Sequence, residues 1–296
     1  MSDFARATLR QALYTPRVNR KRLIIVADDL GSSAQRSHGI FLCFEQGVVR
    51  NAGLVATMND SARAAKHAKE KGLACGLHLN LTNESPISDP KTITTLVDAQ
   101  GNFLGNTGLR RVLDAGEYDP QHLEREIRAQ VEWTFDHYGY PSHVSGHRHI
   151  HIHPAVMPLL VPILERYAIR WIRLPVETLP PHGYHITEAE TQHVEALNAQ
   201  ATDAAKLLAG TTLGHADHFR GETLLGNASK KNLRHILARL PEGTTELMTH
   251  PSSPSAYGTT FDLDPQRITE LQMLLDPELP TLLAERKIEL ATYADL

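Results

Sequence analysis

The 296-residue sequence is short of cysteine and of long apolar runs, and each shortage removes a class of protein. Cys43 and Cys75 are its only cysteines. Two thiols cannot build a disulfide framework, and without a CxxC spacing they cannot form a metal knuckle, so both read as buried, reduced side chains. No stretch approaches the roughly 18 apolar residues that a membrane span requires. Residues 1–20 carry charges where a signal peptide would need an apolar region, so the cytoplasm is the expected compartment. No block of five or more basic residues occurs, and 30 Lys+Arg against 34 Asp+Glu leave a net charge of −4. A nucleic-acid partner is therefore not expected. Internal repeats, low-complexity tracts and Gly/Ser linkers are also missing.

What remains is an ordinary folded composition, 41% hydrophobic and 22% charged. The length approaches the ceiling for one hydrophobic core, which suits a single large α/β domain. With no shift in composition to mark a boundary, the expected organisation is a polar arm at residues 1–20 followed by one domain over 21–296. The arm offers a surface on which a second copy could dock as a homodimer.

Short aliphatic or β-branched runs alternate with longer amphipathic stretches, the pattern of repeated βα units around a mainly parallel sheet. The runs predict strands at Arg22–Ala27, Gly53–Thr57, Ala74–Leu79, His143–His147, Trp171–Leu174, Thr212–Gly214, Thr245–Met248 and Ile288–Ala291. Helices are expected near Ala34–Gln46, Ser61–Lys71, Pro120–Tyr138, Pro154–Tyr167, Lys230–Leu240 and Pro265–Leu275. This number of strands suggests a closed or nearly closed (β/α) barrel. Two polar stretches, Asn83–Asp119 and Glu177–Gln200, read as long loops, and loops of that length in a compact domain usually serve function.

The sequence has 17 histidines, and five of them fall between His143 and His153. In extended backbone His147, His149, His151 and His153 would share one side over about 20 Å, too far for a single ion, so one or two are candidate ligands and the rest pocket lining. Ile24-Ile25-Val26-Ala27-Asp28-Asp29-Leu30-Gly31 runs an apolar strand into two adjacent carboxylates. Such acids repel unless a cation joins them, with one as ligand and the other free to take a proton. Gly76-Leu77-His78-Leu79-Asn80-Leu81-Thr82 alternates so that His78, Asn80 and Thr82 share a face. Glu246-Leu247-Met248-Thr249-His250-Pro251 is another strand ending in a histidine. Asp28, Asp29, His78, His147, Arg173 and His250 all fall at the carboxyl ends of separate expected strands, the end at which βα barrels assemble their active sites.

These segments, together with Gly146-His147-Arg148-His149-Ile150-His151 and Arg173-Leu174-Pro175, resemble the YdjC-like (ChbG/HpnK) carbohydrate deacetylases over about residues 22–296. The resemblance implies a distorted TIM-type (β/α) barrel and an enzyme that removes N-acetyl groups from amino sugars with a divalent metal. That metal would be Mg²⁺ by the resemblance, with Zn²⁺, Co²⁺ or Ni²⁺ as alternatives. It further implies that Asp29, His78 and His147 hold the metal, that Asp28 is the base, and that His250 is the acid. Asp217-His218-Phe219-Arg220-Gly221 looks like a family block on the substrate side. Ser145 departs from the pattern, standing where the family has an aspartate. Loss of such an orienting carboxylate weakens metal affinity by about 10–100-fold, and it leaves His149 or His151 as alternative ligands.

The reaction so implied is metal-assisted amide hydrolysis of a small carbohydrate, with Asn80, Arg173, Asp217 and His218 as candidate substrate contacts. The two long loops would select the sugar. Competing readings are a non-catalytic sugar or metal binder, a phosphoryl-receiving module built on the Asp28-Asp29 pocket, and a metal-dependent hydrolase of another bond such as a phosphoester.

Overall fold

The computed structural model describes residues 20–179, 186–257 and 259–296. Apart from Arg20, the expected arm lies outside the described residues. The central strand is β1, Lys21–Leu30. Its odd-numbered side chains Leu23, Ile25 and Ala27 join the core shared with the surrounding helices, whereas Ile24 and Val26 join a separate cluster with Ala291 and Tyr293 inside the sheet's curve. Period-two alternation thus divides one strand between two apolar environments.

The next elements follow the βα pattern: α1 (Ala34–Glu45), β2 (Asn51–Leu54), α2 (Ser61–Lys71) and β3 (Ala74–Leu79). After them come α3 (Gly105–Asp114), α4 (Pro120–His137), β4 (Val144–Gly146) and α5 (Met157–Arg166). The remainder is α6 (Glu188–Leu208), β5 (His218–Arg220), α7 (Lys230–Ala238), β6 (Gly243–Thr249), α8 (Gln266–Leu274), α9 (Leu279–Glu285) and β7 (Ile288–Leu290). All pairings in the sheet are parallel, in the order β4-β3-β2-β1-β6-β5, with β7 beside the start of β1. Single bridges Val144–Ile172 and Glu177–Phe219 carry the segment around Arg173 between β4 and β5. The circuit is that of a distorted (β/α) barrel, as the sequence predicts.

Several expectations shift. The second strand starts earlier, at Asn51, and the runs at Trp171–Leu174 and Thr212–Gly214 form isolated bridges only. β5 falls outside the expected strands, because His218-Phe219-Arg220 offers a single buried apolar side chain between two polar ones. The largest correction concerns the polar stretch Glu177–Gln200, much of which is helix α6. Thr187 and Glu190 form a reciprocal capping box at its start, and its buried stripe is Val194, Leu197, Ala201, Ala204 and Leu208. With only Val194 and Leu197 of that stripe falling inside Glu177–Gln200, the segment reads as a loop. The other stretch, Asn83–Asp119, likewise contains α3. Cys43 and Cys75 are buried free thiols, as expected.

Candidate active site

Alternation along β1 puts Asp28 on the same side as Ile24 and Val26. It would send Asp29 the other way, but Asp29 takes a left-handed backbone conformation (φ 66°), and the register with β2 slips between Ala27 and Leu30. This bulge turns both neighbouring carboxylates toward one cavity. Gly53 on β2 leaves room for them, since a Cβ there would stand 2.8 Å from Asp28 Oδ1 and 3.1 Å from His78 Nδ1.

His78, from β3, and His147, just beyond β4, meet Asp29. His147 Nδ1 is 2.9 Å and His78 Nε2 3.4 Å from Asp29 Oδ1. These three ligand atoms lie within 4.8 Å of one another, and among the described residues no other cluster of this kind is found. Donors about 2.0–2.1 Å from a tetrahedral ion stand roughly 3.3 Å apart, so the spacing fits a divalent metal. The side-chain chemistry fits as well. Ser145 Oγ is 2.8 Å from His78 Nδ1; with that nitrogen protonated and donating to the hydroxyl, Nε2 presents its lone pair toward Asp29. Ser145 thus occupies the orienting position beneath His78, as an uncharged acceptor. Burial opposes ionisation of Asp29, but His147 and His78 overcome it and hold its carboxyl well below 3.8.

Asp28 sits beside this triad. Arg173 grips it through two bonds, Nη1 to Oδ2 at 2.6 Å and Nη2 to Oδ1 at 2.9 Å. Burial would raise the Asp28 pKa, yet Arg173, helped by His78 and His250, holds it well below the usual carboxylate range. His250, at the end of β6, places Nε2 3.9 Å from Asp28 Oδ2. Burial pushes the His250 pKa down to about 3, although Asp29 and Asp28 act in the other direction. The ring meets the Phe261 ring edge-to-face at 5.3 Å.

The histidine run is not extended. Residues His147–Ile152 form a tight turn in which Arg148 and His149 both have φ near 54°. The rings therefore diverge, and the expected common face is lost. His149 Nε2 contacts Glu222 at 3.0 Å, His151 Nε2 donates to the Arg173 carbonyl at 3.0 Å, and His153 Nε2 contacts Asp114 at 3.1 Å. Of the three histidines considered as ligands, His147 is the one that joins Asp29 and His78.

Three candidate substrate contacts are already committed elsewhere. Asn80 is fully buried, with its Oδ1 accepting from Thr82 and Asn83 and its amide donating to Thr57 and the Asn83 carbonyl. Asp217 accepts from the Thr244 amide at 2.7 Å, and His218 Nε2 contacts the Glu242 carbonyl. Both lie at the amino-terminal end of β5 and β6, opposite the triad. Arg173, a fourth candidate, is consumed by Asp28 and Glu246.

A cavity of about 600 Å³ opens over Asp28, Asp29, His78, His147 and His250. Its walls include Asn106 and Arg110 of α3, and His193, Leu197 and Gln200 of α6. The spacing from 193 to 200 puts those three on one face of that helix. Glu222, just after β5, bridges His149 and His193, the latter at 2.9 Å. The five wall residues from α3 and α6 all lie in the two stretches expected to select the sugar, although the sequence predicts loops there and singles out none of the five individually. No helix among the described residues is long and apolar enough to cross a membrane.

A family model described as YdjC-like protein matches residues 22–285. A carbohydrate deacetylase of Geobacillus stearothermophilus is 32% identical over 281 residues, spanning 92% of this chain and 96% of that protein. A human carbohydrate deacetylase is 30% identical over 295 residues, spanning 94% and 91%. A crystal structure from Enterococcus faecalis V583, provisionally described as a cellobiose-phosphate cleavage protein, superposes with a TM-score of 0.74 at 21% identity. It covers 93% of this chain and 98% of its own, a likeness of fold.

Proposed function

Since the chain belongs to the YdjC-like family, we propose that it is a carbohydrate deacetylase that hydrolyses the N-acetyl group of an amino sugar with the help of a divalent metal. The observation that carries this reading is the position of Asp28 beside the Asp29–His78–His147 triad on the floor of the cavity. Relatives named as carbohydrate deacetylases support the substrate class.

Asp29, His78 and His147 would hold the ion, leaving the cavity side open. Two imidazoles with one carboxylate suit Zn²⁺, Co²⁺ or Ni²⁺ better than Mg²⁺. The chemistry that a cation bound there would supply is polarisation of the acetamide carbonyl and a lowered pKa for the attacking water. Asp28, kept ionised by Arg173, would accept the proton of the attacking water on its carboxylate, as a weak base. Burial keeps His250 neutral in the resting cavity, so the proton it delivers to the leaving amine must be taken up during the cycle. Asp28, 3.9 Å away, is the nearest carrier. The walls formed by α3 and α6 would bind the rest of the sugar.

The test is acetate release by the purified protein from a panel of N-acetylated sugars, chitobiose included, with each divalent metal and with EDTA. Release that EDTA stops and added metal restores is the expected result. A folded, metal-loaded protein that releases acetate from none of them would overturn the reading in favour of a binder.

A further inference from the structure

The polar chain behind Asp28 does not end at Arg173. The third donor of that guanidinium, Nε, meets Glu246 Oε1 at 2.7 Å, and the other oxygen of Glu246 accepts the hydroxyl of Tyr293 at 2.5 Å. All four side chains are 1% exposed or less. Tyr293 comes from the turn that follows β7. Asn51 holds its backbone by accepting from the Tyr293 amide and donating to the Ala291 carbonyl, and its ring stacks on His143 at 4.2 Å. The C-terminal turn therefore reaches the barrel interior and places one hydroxyl on the far end of a chain whose near end is Asp28.

Packing alone does not account for this arrangement. The neighbours of Tyr293 in the interior include Ile24, Val26 and Ala291, where phenylalanine would pack as well without a hydroxyl to satisfy. Replacing a buried ionic chain by apolar residues of similar shape is commonly neutral or stabilising. Arg173 is shared between two carboxylates, Asp28 and Glu246. A hydroxyl donated to Glu246 satisfies the oxygen that Arg173 leaves free. It keeps Glu246 on Nε and leaves both Nη groups to Asp28, fixing the plane of that carboxylate.

We propose that Tyr293 and Glu246 are positioning residues that set the orientation of Asp28 through Arg173. The role assigned to them rests on the reading of Asp28 as the base of a deacetylase.

The test uses Tyr293→Phe, which keeps the ring and removes the hydroxyl, with Glu246→Gln as a second variant. On an N-acetylated sugar turned over by the wild type, kcat should fall about tenfold or more in each, with KM and metal affinity unchanged, as expected when a reacting group is misplaced. The double variant should fall no further than Glu246→Gln alone. A second arm needs no activity: Tyr293→Phe and Asp28→Asn are combined, and unfolding by urea is measured for both single variants and the pair. Coupled residues should make the pair's unfolding constant depart from the product of the single effects by more than about twofold. Additive effects in this cycle, or wild-type kcat in Tyr293→Phe, overturn the proposal. If the wild type releases no acetate, the deacetylase reading fails, while the cycle still decides whether Tyr293 acts on Asp28.

Discussion

Arg173 Nη1 lies 2.6 Å from Asp28 Oδ2, joining residues 145 positions apart inside the barrel, and this pair gives two adjacent carboxylates different partners. Asp28 is gripped by a guanidinium, whereas Asp29 faces two imidazoles. The consequence is that their substitutions should fail differently. Asp28→Asn should abolish acetate release and still bind metal, while Asp29→Asn and His78→Ala should lose metal and turnover together. Titration calorimetry with Zn²⁺ or Co²⁺ beside the activity assay checks this. Near-normal turnover in Asp28→Asn would remove it as the base.

Ser145 supports His78 as a neutral acceptor at 2.8 Å. A carboxylate in its place makes the imidazole a better ligand, so Ser145→Asp should tighten metal binding by about 10–100-fold. Competition with a chelator measures the change, and equal affinity in the two proteins would show that Ser145 does not orient the ligand.

Gly53 is needed for space beneath the site. A Cβ would stand 2.8 Å from Asp28 Oδ1, a carboxylate that two bonds from Arg173 hold in place. Gly53→Ala should cost at least about tenfold in kcat, of the order expected from displacement by a fraction of an ångström. A circular dichroism spectrum like the wild type's, with turnover lost, is the expected combination.

Arg110 on α3 and His193 on α6 line the cavity walls away from the triad. Replacing either with Ala should raise KM several-fold and leave kcat within about twofold, the signature of lost uniform binding. The rise should differ between sugars of different length. A fall in kcat at constant KM would instead move these residues into the chemistry.

Buried neutral histidines make acid stability predictable. Burial pushes both His143 and His250 down to about 3, against 6.5 when free. Between those values the unfolded chain binds the protons and the folded chain does not, so stability falls as pH drops below about 6.5 and continues to fall toward 3. Asp28 and Asp29 add to the loss at the lower end. Their depressed values give stability that is present above 3.8 and disappears as pH falls below it. Urea unfolding of the metal-free protein should show a slope of up to about 1.4 kcal/mol per pH unit for each histidine between pH 4 and 6. His143→Gln should make that slope shallower, and a flat wild-type profile over the range would contradict the prediction.

The sequence by itself determined the apolar strand that ends in Asp28 and Asp29, the alternation around His78, and the placing of His147 and His250 at strand ends. Strand direction and period-two alternation are local properties, legible from a few neighbouring residues. Tertiary structure decided what each polar group does there. The bulge at Asp29 and the left-handed turn at Arg148 and His149 bring His147, rather than His149 or His151, to Asp29 and His78, an arrangement that alternation in an extended chain does not reveal. Asn80, Asp217 and His218 have suitable chemistry, but their hydrogen bonds are spent on a turn and at the opposite end of the barrel. Helix α6 is concealed in the sequence because its buried stripe is only five residues of twenty-one, two of them alanine, leaving polar residues to dominate the local pattern. Glu246 and Tyr293 were the least legible of all. Their partners come from elsewhere in the chain, and no local period encodes a contact that exists only once the barrel has closed.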